Sequence, residues 1–172
     1  VYKRQVDVLL GPEMKSTGEV MGLDKDFGLA FSKSQIAAGN SLPTKGLAFI
    51  SLKDKHKNEG IDLAKKLVKL NFALCGTEGT ANAIIKNGIK CKKINKVSGG
   101  SPHIVDVLNA KKIALVINTG GGKRAYRILD STSLRRATLI NKVPYCTNMS
   151  TAYACLEGIK SLKSKKITVT SL

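Results

Sequence analysis

From residue 45 onward, short apolar runs alternate with longer stretches whose apolar residues recur at helical spacing. Residues 46–51, 72–75, 90–95, 113–118 and 143–147 read as strands, being short and bounded by Gly, Asn, Pro or charged positions. Between them, residues 57–70, 80–86, 102–110, 130–141 and 150–162 read as helices. The first of these helices places Ile61, Ala64, Leu67 and Val68 on one face and lysines elsewhere. Gly88 falls where a C′ glycine ends the second, and Ser101-Pro102 offers an N-cap and a first-turn proline to the third. Strand and helix in strict alternation predict an α/β fold in three layers, with a doubly wound, mainly parallel five-stranded sheet.

Ahead of this repeat, residues 6–23 are rich in turn formers and read as a connector. Asp24 or Asp26 can cap a helix carrying Leu29, Ala30, Phe31, Ile36 and Ala37, which Gly39-Asn40 and Pro43 close. Val1-Tyr2-Lys3-Arg4-Gln5 resembles the translation of a transposon-derived sequencing adapter and is set aside from fold reasoning. The expected organisation is an adapter remnant at 1–5, a connecting segment with its helix at 6–44, and an α/β domain at 45–172. The native segment then starts near Val6, within a longer protein.

Charge changes this picture little. The chain is strongly basic, net +17, but Arg occurs only at positions 4, 124, 127, 135 and 136, so lysine supplies the other 24 of 29 cations. Nucleic-acid readers rely on Arg forks and aromatic stacking, whereas aromatics are 5% here and the lysines spread along helices. A solvated lysine surface is the reading, with no nucleic-acid partner. Cys75, Cys91, Cys146 and Cys155 lack C-x-x-C spacing, and three sit in or beside apolar runs, as buried free thiols of a reducing cytosol do. No run has the length of a membrane helix and no signal peptide is evident, so the expectation is a cytoplasmic protein with no membrane partner and no resident metal.

Candidate chemistry concentrates at Cys75-Gly76-Thr77-Glu78-Gly79-Thr80, which joins the strand at 72–75 to a helix. Gly76 and Gly79 permit a tight turn and a close ligand, helix-start amides point outward, and two hydroxyls add hydrogen bonds. The same residues also serve ordinary turn and cap chemistry, with Thr80 as N-cap. In doubly wound sheets ligands bind at the carboxyl ends of the strands, here 51–57, 75–80, 95–96, 118–119 and 147–148. These carry hydroxyls, amides and ammonium groups and hardly any carboxylate. A phosphorylated anion suits them, with Lys57 and Lys96 as point charges. Gly120-Gly121-Gly122-Lys123 is no Walker loop, since Ile117 replaces its first glycine and Arg124 its hydroxyl. His103 is expected at a helix start and His56 in solvent.

Pro12-Glu13-Met14-Lys15-Ser16-Thr17-Gly18-Glu19-Val20-Met21-Gly22, residues 31–35, Thr77 to Thr80, Asn95-Lys96-Val97, Pro102-His103-Ile104 and Leu134-Arg135-Arg136 together resemble the C-terminal end of the large chain of carbamoyl phosphate synthetases. The resemblance covers nearly everything after residue 5 and places the first run in the tail of the second ATP-grasp domain. The remainder is similar to the allosteric domain, which has the fold of methylglyoxal synthase. In that family nucleotide effectors such as UMP and IMP bind through their phosphate. The resemblance implies phosphate contacts from Lys57, Thr77, Gly79, Thr80 and Lys96, ribose or base contacts from Ser51, Asn118, Thr119 and Asp130, and an ornithine contact from Thr147. Lys96, where acylated-amino-acid-regulated animal forms carry an aromatic residue, implies the bacterial, glutamine-dependent type. The resemblance also implies the rest of the large chain and the small glutaminase subunit as partners, no cofactor in this segment, and ATP with Mg or Mn in the upstream domains. The parent ligase serves arginine and pyrimidine biosynthesis.

Two enzymatic relatives and one binding module compete. Methylglyoxal synthase removes a C–H proton with a carboxylate in a Gly-Gly-Asp turn, but Gly99-Gly100-Ser101 stands there and Ser101 cannot act as that base. The purine cyclohydrolase shares an S-x-x-D-K-like turn at 51–57, yet its G-R-V-K-T-L-H-P stretch is missing. A basic nucleic-acid-binding module predicts affinity falling steeply with salt and little preference among mononucleotides. The expectation is a regulatory, non-catalytic segment.

Overall fold

The computed structural model describes residues 20–120 and 125–168, the side chains of 125–129 excepted. The adapter-like residues 1–5 and the run Pro12 to Glu19 lie outside the described residues. The elements are α1 (Phe27–Ala37), β1 (Gly46–Ser51), α2 (Lys57–Lys69), β2 (Phe72–Gly76), α3 (Glu78–Lys86), β3 (Lys92–Lys93), α4 (Ile104–Asn109), β4 (Ile113–Asn118), α5 (Ala125–Ile140), β5 (Tyr145–Cys146) and α6 (Met149–Ser164). The five strands are all parallel, in the order β3-β2-β1-β4-β5. The strand order reverses between β1 and β4, where Ser51 pairs with Asn118 at the carboxyl ends. This is the doubly wound architecture the alternation predicts.

Period-two alternation along the strands divides the core in two. Ala48 and Ile50 of β1, Phe72 and Leu74 of β2, and Leu115 and Ile117 of β4 pack with Leu63, Ala64 and Leu67 of α2, Ile84 of α3, and Ala152, Leu156 and Ile159 of α6. Phe49, Cys75 and Val116 face the other way, toward Ile104 and Leu108 of α4 and Leu134 and Ala137 of α5. On α2 the buried face holds Leu63 in place of Val68, which is 43% exposed, while Ile61 is half-buried. Leu63, Ala64 and Leu67 form the tighter stripe, and Val68 falls just beyond its edge.

Several boundaries differ from the sequence expectation for local reasons. β3 shortens to the exposed pair Lys92–Lys93, an edge pairing in which only Cys75 and Gly76 of β2 take part. α4 begins at Ile104, because His103, not Ser101, is its N-cap. The Asp106 carboxylate reaches back to accept from His103 N at 2.9 Å and from Ser101 Oγ at 2.9 Å. Pro102 thus precedes the cap. Gly39 and Gly88, both at positive φ, sit just past the ends of α1 and α3 as expected. Cys75, Cys146 and Cys155 are buried free thiols, and Cys91 is half-buried. Burial pushes the Cys75 thiol up to about 12 and Cys91 up to about 11.

α1 packs on α6, and two glycines set how closely. A Cβ on Gly28 would fall 2.5 Å from Glu157 O, and one on Gly158 would fall 2.9 Å from Ser32 Oγ. Asp26 ties the start of α1 to the end of α6: its carboxylate accepts from Leu29 N at 2.9 Å, from Ser161 Oγ at 2.6 Å and from Lys165 Nζ at 2.7 Å. Lys165 and Ser161 together hold the Asp26 carboxyl far below the usual carboxylate range. A depressed folded pKa contributes stability that is present above the unfolded value, about 4, and is lost as pH falls below it. Urea midpoints measured from pH 7 to pH 3 should therefore drop on the acid side in the wild type. Asp26→Asn should lower the neutral midpoint and flatten this part of the acid dependence.

Candidate anion-binding site

The carboxyl ends of β1, β2 and β4 open onto one cavity of about 610 Å³ at the point where the strand order reverses. Eight of the residues expected to bind ligand line it: Ser51, Lys57, Thr77, Gly79, Thr80, Lys96, Asn118 and Asp130. They arrive from six separate stretches of chain, brought together by the parallel sheet. The other two do not line it. Thr119 is buried behind the wall, its Oγ1 accepting from Lys53 N at 3.2 Å. Thr147 is exposed past the end of β5, one residue before the Asn148 N-cap of α6.

The turn after β2 is built for close approach. A Cβ on Gly76 would stand 2.5 Å from Ile50 O, so only glycine lets β2 end this near to β1. Thr77, in extended conformation, is the N-cap of α3, and Thr80 lies inside the first turn, contrary to the expected cap at Thr80. Thr77 Oγ1 makes no capping bond. It lies 3.4 Å from both Ser51 Oγ and Thr80 Oγ1 and can donate to one at a time. Thr80 Oγ1 in turn accepts from Leu52 N at 3.0 Å, stitching α3 to the loop after β1. The first-turn amides of α3, at Glu78, Gly79 and Thr80, have no acceptor within the helix and carry the positive end of its dipole. Gly79 has more clearance, its nearest neighbour being Lys57 Nζ, 3.8 Å from where a Cβ would sit. A side chain there would occupy the space between that ammonium and the helix start.

The electrostatics are more balanced than the sequence suggested. Lys53, Lys57 and Lys96 line the cavity, but so do the carboxylates of Asp54, Glu78 and Asp130. Sequence reasoning missed Asp54 and Glu78 as wall residues, although Asp54 stands three residues before Lys57 at helical spacing. Its Oδ1 lies 2.7 Å from Lys57 Nζ. That pair is largely open to water, Asp54 being 94% exposed, and is worth about 0–1 kcal/mol, so an incoming dianion can displace it. Asn118 is tied at both ends of its amide, donating to Tyr145 OH at 2.9 Å and accepting from Gly120 N at 2.9 Å. Phe49, Ile94, Ile104 and Leu134 give the cavity an apolar wall.

His103 is the α4 cap, as its position suggested. His56, expected in solvent, is instead half-buried, with Nδ1 enclosed and without a hydrogen-bond partner. The reason is its place between the 3-10 turn Asp54–His56 and α2, where it is the N-cap position of that helix. Among the described residues no group of His, Cys, Asp and Glu could hold a metal ion, and no helix is long and apolar enough to cross a membrane.

A family model described as MGS-like domain matches residues 59–147, from the first turn of α2 past the end of β5. The chain belongs to the MGS-like domain family. Its relatives among characterised proteins include the carbamoyl phosphate synthase large chain of Mesorhizobium japonicum, 48% identical over 167 residues, which are 97% of this chain and 14% of that one. The sections described as carbamoyl phosphate synthase large chain, C-terminal section, from Aquifex aeolicus and Methanopyrus kandleri are 49% and 48% identical. Those matches cover 94% and 97% of this chain and 30% and 31% of theirs. The chain thus spans less than a third of the length of these relatives. The five-stranded parallel sheet, which includes β1 ahead of the matched residues, is covered by helices on both faces and is consistent with the MGS-like α/β fold.

Proposed function

We propose that this chain is the C-terminal regulatory part of a carbamoyl phosphate synthase large chain and that its cavity binds a nucleotide effector, UMP or IMP, through the phosphate. The observation that carries this reading is the meeting of Lys57, Thr77, Thr80 and Lys96 around the unpaired first-turn amides of α3 in one cavity. A phosphate seated there takes amide and hydroxyl donors from the α3 turn and charge from the two lysines. The nucleoside then extends toward Ser51 and Asn118 at the switch point, with the apolar wall for its base, while Thr119, buried behind that wall, supports the loop and does not touch the ligand. The likeness to large chains over nearly the whole sequence supports the same reading.

The parent enzyme in this proposal is an ATP-dependent ligase that makes carbamoyl phosphate from bicarbonate, glutamine-derived ammonia and two ATP, with Mg or Mn. That chemistry resides in upstream domains and in a small glutaminase subunit, in the cytoplasm, and feeds arginine and pyrimidine synthesis. This segment acts by binding two states of the whole enzyme unequally, a coupling of about 1–3 kcal/mol. Thr147 marks a separate ornithine edge against the preceding domain.

Calorimetric titration with UMP, IMP, the matching nucleosides and duplex DNA at two salt concentrations tests the proposal. Saturable binding of the nucleotides, lost with the nucleosides, is the expected result. Binding of DNA that falls steeply with salt and ignores mononucleotides would return the basic surface to first place. Because Thr147 is exposed and outside the cavity, Thr147→Ala should leave UMP affinity within about twofold, the range of ordinary surface changes. A large loss in that titration would show that the ornithine edge is misplaced.

A further inference from the structure

The segment that carries Lys96 is held at two points. On one side Asn95 O accepts from Ile104 N at 3.1 Å, and Asn95 pairs with His103 in a parallel bridge. On the other side Ser98, in the 3-10 turn Val97–Gly99, is gripped by Asp130 of α5. Asp130 Oδ1 accepts from Ser98 N at 3.0 Å and Oδ2 accepts from Ser98 Oγ at 2.8 Å. Lys96 lies between these anchors as the N-cap of the 3-10 turn, whose closing bond runs from Gly99 N to Lys96 O at 3.0 Å. Around it Ser98, Gly99 and Gly100 are exposed, and only Val97 packs inward, against the α4–α5 side of the core.

We propose that Asp130 is a positioning residue, which locks the 97–99 turn so that Lys96 is held at the cavity, and that it does not itself contact the ligand. The inference rests on the reading that the cavity binds a phosphate. Three points carry it. Both carboxylate oxygens already accept a hydrogen bond from Ser98 in a bidentate grip. A bare carboxylate on the wall of an anion site would repel its ligand, and two donors aimed at it draw off part of that charge. The turn has little burial of its own, so its geometry depends on that grip, and a lysine fixed before binding loses less freedom on binding. Asp130 therefore bears on phosphate affinity itself and not on recognition of the sugar.

The test compares wild type, Asp130→Ala, Asp130→Asn, Ser98→Ala and the Asp130→Ala/Ser98→Ala double variant of the full chain, using UMP and inorganic phosphate as probes. Asp130→Ala should weaken both probes by the same factor, about tenfold, because the loosened turn costs Lys96 its fixed position but not its charge. Asp130→Asn, which can still accept from Ser98 N, should restore most of the affinity. Ser98→Ala should give part of the loss, and the double variant should be no worse than Asp130→Ala. In the absence of any ligand, hydrogen exchange at the Ser98 and Gly99 amides should accelerate in Asp130→Ala while the α3 amides stay unchanged. A loss confined to UMP with inorganic phosphate unaffected would make Asp130 a sugar contact and overturn the proposal. Unchanged exchange at Ser98 and Gly99 would overturn it as well. Failure of the wild type to bind either probe would instead count against the phosphate site, with the exchange result still deciding the lock.

Discussion

Lys96→Glu should weaken nucleotide binding by at least about a hundredfold while the melting temperature stays within about 2 °C of wild type, since surface charge changes cost little stability. Lys96 is exposed and lines the cavity, so reversing its charge removes an attraction and places a carboxylate beside an incoming dianion. Glu78, Asp54 and Asp130 already stand in the wall, and a fourth carboxylate would tip the cavity to net negative. The neutral variant Lys96→Met should show a smaller loss, and the difference between the two measures repulsion separately from lost attraction. Calorimetry with UMP is the check, and an unchanged affinity in Lys96→Glu would remove Lys96 from the site.

The largest stability effect belongs to Ile117→Ala. Ile117 is fully buried near the carboxyl end of β4, opposite Ile50 in the parallel register and against the α2–α6 side of the core. Truncation removes its transfer free energy and leaves a cavity between strands that cannot close up, a cost of about 2–5 kcal/mol. That is a large fraction of the roughly 5–15 kcal/mol that holds a domain folded. The urea midpoint should fall sharply with an unchanged slope. Because Asn118 follows directly, nucleotide affinity should also drop when measured under folding conditions. A midpoint shift no larger than that of a surface substitution would mean that β4 is not an interior strand flanked by β1 and β5.

The parts of this molecule that sequence revealed are those that depend on short-range pattern. β1 and β4 match their predicted bounds because both are apolar runs between breakers, buried on two faces. β3 and β5 were read too long, since each is an edge strand that pairs over two residues only, and pairing length is a tertiary property. The Thr80 cap was misread because Thr77 and Thr80 are chemically equivalent candidates, and extended backbone at Thr77 decides between them. At the site, the glycine, threonine and lysine positions were legible through their place at strand ends. The carboxylates of Asp54 and Glu78 were not weighed, since the side of a loop that faces a cavity is fixed only by the closed sheet. The Ser98–Asp130 grip joins residues 32 apart in sequence and left no local signal. Residues 121–124, which include most of the Gly120-Gly121-Gly122-Lys123 run, lie outside the described residues.

Titration of UMP into isotopically labelled chain, followed by backbone amide shifts, locates the ligand most directly. A phosphate in the cradle predicts saturable shifts at the Glu78, Gly79 and Thr80 amides at the start of α3 and at Lys96, with Thr147 and the outer face of α2 unmoved. Shifts scattered over the lysine-rich surface and abolished by moderate salt, with the α3 amides still, would contradict an effector site in this cavity.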